Sequence, residues 1–95
     1  MPLTRRVSFK RPLEKGNKVQ VPKTIRWQFK MENDQVLYVQ IGGLGRGWEY
    51  FYGKMSKDGR IHVPKEVLFA VSGTNESLAH NLVDISIEPA ASNPS

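Results

Sequence analysis

Ninety-five residues give one domain with a modest core, and a hydrophobic content of 39% with 24% charged residues excludes a disordered chain. No apolar run approaches the roughly 20 residues of a membrane helix, the basic start Met1–Arg6 has no apolar stretch behind it and so is not a secretory signal, and zero cysteines leave neither a disulfide framework nor a thiolate metal site. The net charge of +5 is uneven, +7 through Arg46 and −2 from Gly47 onward, which points to a polyanion-binding face rather than evenly solvated charge.

Arg6–Lys10 alternates apolar and polar residues, the period-two pattern of a half-buried strand, and Pro12 is expected to end it. Glu14-Lys15-Gly16-Asn17 reads as a tight turn, because Gly and Asn tolerate positive φ. Lys18–Val21 is a second alternating strand. Pro22 lacks an N–H, so it closes the strand and suits the start of a short helix over Lys23–Lys30, which offers Ile25, Trp27 or Phe29 to the core. Met31–Asp34 turns the chain into a strand over Val36–Ile41. Gly42-Gly43-Leu44-Gly45-Arg46-Gly47 holds four glycines in six residues, too costly in backbone entropy for the inside of an element. It also lacks the Gly-Lys-Ser/Thr ending of a phosphate loop, so it reads as a linker.

The same order then returns. Trp48–Lys54 is an aromatic strand, Ser56–Gly59 a hairpin turn, Arg60–Val63 a strand, and Pro64 opens a helix to about Val71. Ser72–Asn81 is a polar connection, Leu82–Ile87 a closing strand and Pro89–Ser95 a frayed tail. The repetition is visible in the letters: KVQVPK at Lys18–Lys23 recurs as RIHVPK at Arg60–Lys65, 42 residues on. Neither half can hold a core alone, so the two are expected to complete one shared core. The organisation is a single domain over 1–95, with repeat one at 5–41, the linker at 42–47, repeat two at 48–88 and the tail at 89–95. The expected core is Val7, Phe9, Val19, Val21, Leu37, Val39 and Ile41, facing Tyr50, Tyr52, Ile61, Val63, Val83, Ile85 and Ile87. Closing both halves into a barrel would remove their strand edges.

Trp48, Tyr50 and Tyr52 alternate and share one face of their strand. The reading preferred here is a core-facing stripe with Phe51 pointing out; the rival is a stacking surface for single-stranded bases. Trp27 carries the same ambiguity. His62 and His80 have no companions at ligand spacing, so no metal is expected. No nucleophile stands with a base, so the chain reads as a non-enzyme with no cofactor and no small-molecule substrate.

The run Asp58-Gly59-Arg60-Ile61-His62-Val63-Pro64-Lys65-Glu66-Val67 resembles the AbrB/MazE-like (SpoVT-AbrB) swapped-hairpin family of DNA-binding domains: a turn, an Arg-led strand ending in Pro-Lys, a short helix and a closing strand. The resemblance covers roughly Arg6–Glu88 as two units in tandem. The first unit departs at Asn17, where glycine is expected. Asn33-Asp34 stands in for the family's Gly-Asp, and the second copy has only His80-Asn81 after an insertion. The resemblance implies a mainly β fold with two short helices, a swapped-hairpin β-barrel built by two internal repeats as an intrachain pseudo-dimer. It also implies binding of double-stranded DNA in a cytoplasmic, nucleoid-associated setting, as a transcriptional regulator or nucleoid-type protein. A double-psi or related strand order would place the same repeat around a two-fold axis and stays open, as does further self-association.

Carried over by position, Lys18 and Arg60 lead their strands, Arg26 is the basic position of the first helix with apolar Leu68 as its counterpart, and Lys23 and Lys65 follow the prolines. With Lys10, Arg11, Lys15, Lys30 and Lys57 these form the candidate phosphate-contact set. Arg26 and Arg60 are the candidate guanine readers, since a planar guanidinium bonds O6 and N7 together. The alternative function is a protein-interaction barrel without DNA binding, to be marked by an exposed apolar patch near Phe51 or Leu68. An antitoxin role fits poorly, because Pro89–Ser95 is too short to wrap a toxin.

Overall fold

A computed structural model describes residues 6–28, 36–74 and 76–90. The elements follow the expected order strand, strand, helix, strand, twice over: β1 Val7–Pro12, β2 Lys18–Gln20, α1 Lys23–Gln28, β3 Val36–Gly42, then β4 Glu49–Lys54, β5 Arg60–His62, α2 Lys65–Ser72 and β6 Leu82–Pro89. β1 runs on through Pro12, which an edge strand tolerates because its N–H side can face away from a partner. Pro89 belongs to β6 and pairs with Leu37 rather than starting the tail. The expected turn at Met31–Asp34, the end of the first helix at Phe29–Lys30 and the tail beyond Ala90 lie outside the described residues.

All strand pairing is antiparallel, in a four-stranded sheet ordered β1-β6-β3-β4 and a two-stranded ribbon of β2 and β5. The two sheets pack face to face without joining into a closed barrel, which corrects that expectation. Each named strand pair joins one half of the chain to the other. The pattern is unchanged when the halves are exchanged: Val19 lies opposite its own repeat equivalent Ile61, and the pair Phe9↔Ile85 becomes the pair Phe51↔Val39.

The core lies between the sheets. Val19, Val21, Ile61 and Val63 meet Leu37, Val39, Ile41, Val83, Ile85 and Ile87, and Leu13, Met55, Leu68 and Val71 close the sides. Val7 and Phe9 are partly buried at its margin. β4 corrects the reading of the aromatic strand. Phe51 is buried at 7% exposure, whereas Tyr50 and Tyr52 stand 54% and 61% exposed and Trp48 55% exposed. Three of the expected stripe therefore lie outside the core and the expected outward residue lies inside it. A phenyl ring gains by full burial where a tyrosine would bury its hydroxyl as well.

The helices are short because Pro22 and Pro64 open them and the core contributions are few. α1 turns partly buried Ile25 inward and leaves Trp27 in solvent. α2 buries Leu68 and Val71, each worth roughly 1.5–3 kcal/mol. It stops at Gly73, whose left-handed backbone (φ 76°) lets its N–H reach the Phe69 carbonyl at 2.7 Å. The following connection is clipped to the residue after β1: His80 N–H donates to Leu13 O at 2.6 Å and Leu13 N–H to Asn81 O at 2.8 Å. No helix of the described residues is long and apolar enough to cross a membrane.

Candidate nucleic-acid interface and an aromatic sheet face

The β2–β5 ribbon pairs Lys18 with His62, Val19 with Ile61 and Gln20 with Arg60. Val19 and Ile61 point into the core, so the alternation of a strand puts Lys18, Gln20, Arg60 and His62 on the solvent side. Two equivalent turns flank the ribbon. In the first, Asn17 N–H donates to Glu14 O at 3.1 Å, with Gly16 and Asn17 at φ 83° and 61°. In the second, Gly59 N–H donates to Ser56 O at 2.9 Å, with Gly59 at φ 83°. Asn17 thus supplies the left-handed backbone expected of glycine. The turns carry exposed Lys15 and Lys57.

Arg60 is held within the chain. Its Nε donates to Glu14 Oε1 and its terminal nitrogen to Asp58 Oδ2, each at 2.6 Å. The guanidinium pKa is raised further, first by the hydrogen bond to Glu14 and then by that to Asp58. Asp58 is held below the ordinary carboxylate range, first by the Ser56 hydroxyl that donates to it and then by Arg60. Gln20 Nε2 closes the same corner by donating to Asp58 O at 3.3 Å.

Arg26 is likewise engaged. Its Nε donates to Val21 O at 3.2 Å, and its guanidinium lies over Gly59, where a Cβ would fall 2.6 Å from it. At the equivalent end, Leu68 lines a cavity with Asn17, Lys65 and Phe69. Arg26 over Gly59 and Leu68 beside Asn17 are therefore repeat equivalents that differ together. The second helix has no arginine where the turn it faces has Asn17 at the position of Gly59.

The ten predicted phosphate-binding residues do not share one surface. Lys15, Lys18, Lys57 and Arg60 lie on the ribbon and its turns. Lys23, 4.8 Å above the Trp27 ring, and Arg26 sit on α1 beside one turn, and Lys65 opens α2 beside the other. Lys10 and Arg11 belong to β1 in the other sheet, where Lys10 Nζ stands 3.7 Å from Asp84. Lys30 lies outside the described residues. Glu14 and Asp58 sit among the ribbon bases, so its positive charge is partly offset.

The outer face of the four-stranded sheet holds what the sequence reading placed in the core. Strand register aligns Tyr52 with Tyr38 and Tyr50 with Gln40, and the three tyrosine rings cluster with centroids 5.3–6.2 Å apart. Trp48 lies against Gly42, where a Cβ would meet its ring at 2.6 Å. On the β1–β6 side the same face is polar: Arg6 Nε donates to Ser86 Oγ at 2.6 Å, and its guanidinium also bonds the Gln40 side chain. One signal for this arrangement was in the sequence. Phe51 is the repeat equivalent of Phe9, and both belong to the inner side.

Among the described residues no group of three or more His, Asp or Glu side chains is placed to hold a metal. No protein-family model and no curated protein matches this chain. Among solved structures, the solution structure of PHS018 from Pyrococcus horikoshii matches with a TM-score of 0.69 over 100% of both chains at 14% identity. The chain is similar to PHS018 in fold, and the likeness reaches no further than fold.

Proposed function

We propose that this chain binds double-stranded DNA across the β2–β5 ribbon, as two fused swapped-hairpin units of the AbrB/MazE-like kind, in a regulatory or nucleoid role. One observation carries the reading: Lys15 with Lys18 and Lys57 with Arg60 are repeat equivalents set at the two ends of one solvent-facing ribbon. Two equivalent basic clusters suit the two backbones that border a groove. The cross-half pairing of every strand and the Asp58–Val67 signature support the fused-unit architecture.

Binding on this reading is electrostatic, with lysines on phosphates and counterion release as the driving force. Arg60 braces the ribbon against Glu14 and Asp58 rather than reading bases, and Arg26 braces α1 against the second turn. Weak sequence preference follows. The test is titration of a fluorescent random-sequence duplex at about 50 and 200 mM salt. The wild type should bind with steep salt dependence, and combined Lys15→Ala, Lys18→Ala and Lys57→Ala should lower the slope of log K against log salt by about 2–3, near 0.9 for each phosphate no longer neutralised. Absence of binding at the lower salt sinks the proposal. The cluster of half-buried Tyr38 with exposed Tyr50 and Tyr52 favours a second reading, a protein-interaction module.

A further inference from the structure

Trp27 is the most exposed large apolar side chain among the described residues, at 69% exposure. Its repeat equivalent Phe69 is 50% exposed, so both helices hold an aromatic ring in solvent at the same position. Each ring also has a lysine four residues earlier, Lys23 or Lys65, one helical turn away on the same side. A single exposed apolar residue is ordinary, whereas one that recurs with its lysine in both copies calls for a physical reason. Core packing supplies none, because Ile25 in α1 and Leu68 and Val71 in α2 fill that role.

The two ends differ in charge. α1 holds no acidic residue, and its Arg26 packs over the turn that carries Lys57. The acid of that turn, Asp58, is bonded to Ser56 and Arg60. Lys23 Nζ stands 4.8 Å over the Trp27 ring. Around Phe69, by contrast, Glu66 lies in the first turn of α2 and Glu76 lines the same cavity as Phe69. Trp27 is therefore an uncharged ring set among cations, on the helix that borders a turn assigned to phosphate contact. A fitting partner offers negative charge together with a flat apolar face, and a nucleobase on its phosphate backbone offers both.

We infer that Trp27 is the base-contacting residue of this chain, its indole inserting at one step of the duplex, which rests on the DNA reading of the ribbon. Insertion opens the stack locally and bends the duplex, as other apolar wedges do. The cost is least where the stack is already weak, at a mismatch or a flexible pyrimidine–purine step. The lysines hold the backbone and the indole selects a deformable step. Phe69, beside Glu66 and Glu76, contributes little at the other end.

The test uses the full chain carrying Trp48→Phe, which leaves Trp27 as the one tryptophan because the sequence has two. A random-sequence duplex, and the same duplex with one central mismatch, are titrated at about 50 and 200 mM salt. Trp27 emission should fall on binding, and the mismatch should tighten binding by at least about threefold. Trp27→Ala should weaken binding to either duplex at least about fivefold and abolish the mismatch preference. It should leave the slope of log K against log salt unchanged, because no phosphate contact is lost. Trp27→Phe should recover part of the loss, and Phe69→Ala should change affinity by less than about twofold. Unchanged far-ultraviolet circular dichroism confirms that the variants fold. Duplex binding that leaves Trp27 emission unchanged overturns the inference and leaves the indole to a protein partner. A loss in Trp27→Ala that lowers the salt slope also overturns it, since the residue would then act through the lysines. No binding of either duplex at the lower salt overturns the DNA reading itself, and this inference with it.

Discussion

Asn17 and Gly59 occupy equivalent turns and both take left-handed backbone, at φ 61° and 83°. That conformation costs a non-glycine residue roughly 1–2 kcal/mol, and asparagine least because its side chain bonds locally. Asn17→Gly should therefore change stability by less than about 0.5 kcal/mol, and Asn17→Ala should cost about 1 kcal/mol, read by urea denaturation. Gly59→Ala should cost more, about 1–3 kcal/mol, because the new Cβ also displaces the Arg26 guanidinium from its bond to Val21. Asp58 offers a pH test. Its carboxyl pKa is lowered in the fold by Ser56 and Arg60, so its contribution is full above the ordinary aspartate pKa and fades as pH falls through the folded value. The stability gap between wild type and Asp58→Asn should be level from pH 7 to about 5 and shrink below about 4. A gap that widens on acidification contradicts the assigned hydrogen bonds.

At the scale of elements, β4 is where a strand of aromatics had to choose a face. One alternation carries Trp48, Tyr50 and Tyr52 and the other only Phe51, between Glu49 and Gly53, so a count of apolar residues favoured the face that in the fold points outward. Phe51 went inward against Val39 while the tyrosines kept their hydroxyls wet. Phe51→Ala should cost about 3–5 kcal/mol by leaving a cavity in the core. Tyr52→Ala should cost about 1 kcal/mol or less, the value of its ring contacts on the sheet surface. Equal costs in thermal or urea unfolding would mean that the strand is turned the other way. The short elements show the same division. The turns, Pro22 and Pro64 fixed where strands stop and helices begin, because they act through local φ and a missing N–H. Leu13, Met55, Leu68 and Val71 were not legible as core, because they are recruited from turns and helix flanks by sheets that are distant in sequence.

For the whole molecule, pairing between halves makes each half depend on the other. Fragments 1–44 and 46–95 should each be unfolded alone and should regain strand signal by circular dichroism when mixed, because each named strand finds its partner only in the other fragment. A fragment that folds unaided would show that the pairing is not what holds it. The repeat, the order of strands and helices, the turns and the apolar set of β2, β3, β5 and β6 were all legible in the amino-acid order, since alternation, proline and glycine act over a few residues. Three outcomes emerge from the folded arrangement instead: the two sheets stay separate, β4 turns its tyrosines out, and Arg26 and Arg60 are engaged within the chain. They depend on which distant strand lies alongside and which carboxylate or carbonyl it brings. Such information resides in long-range register, and no local pattern of residues encodes it.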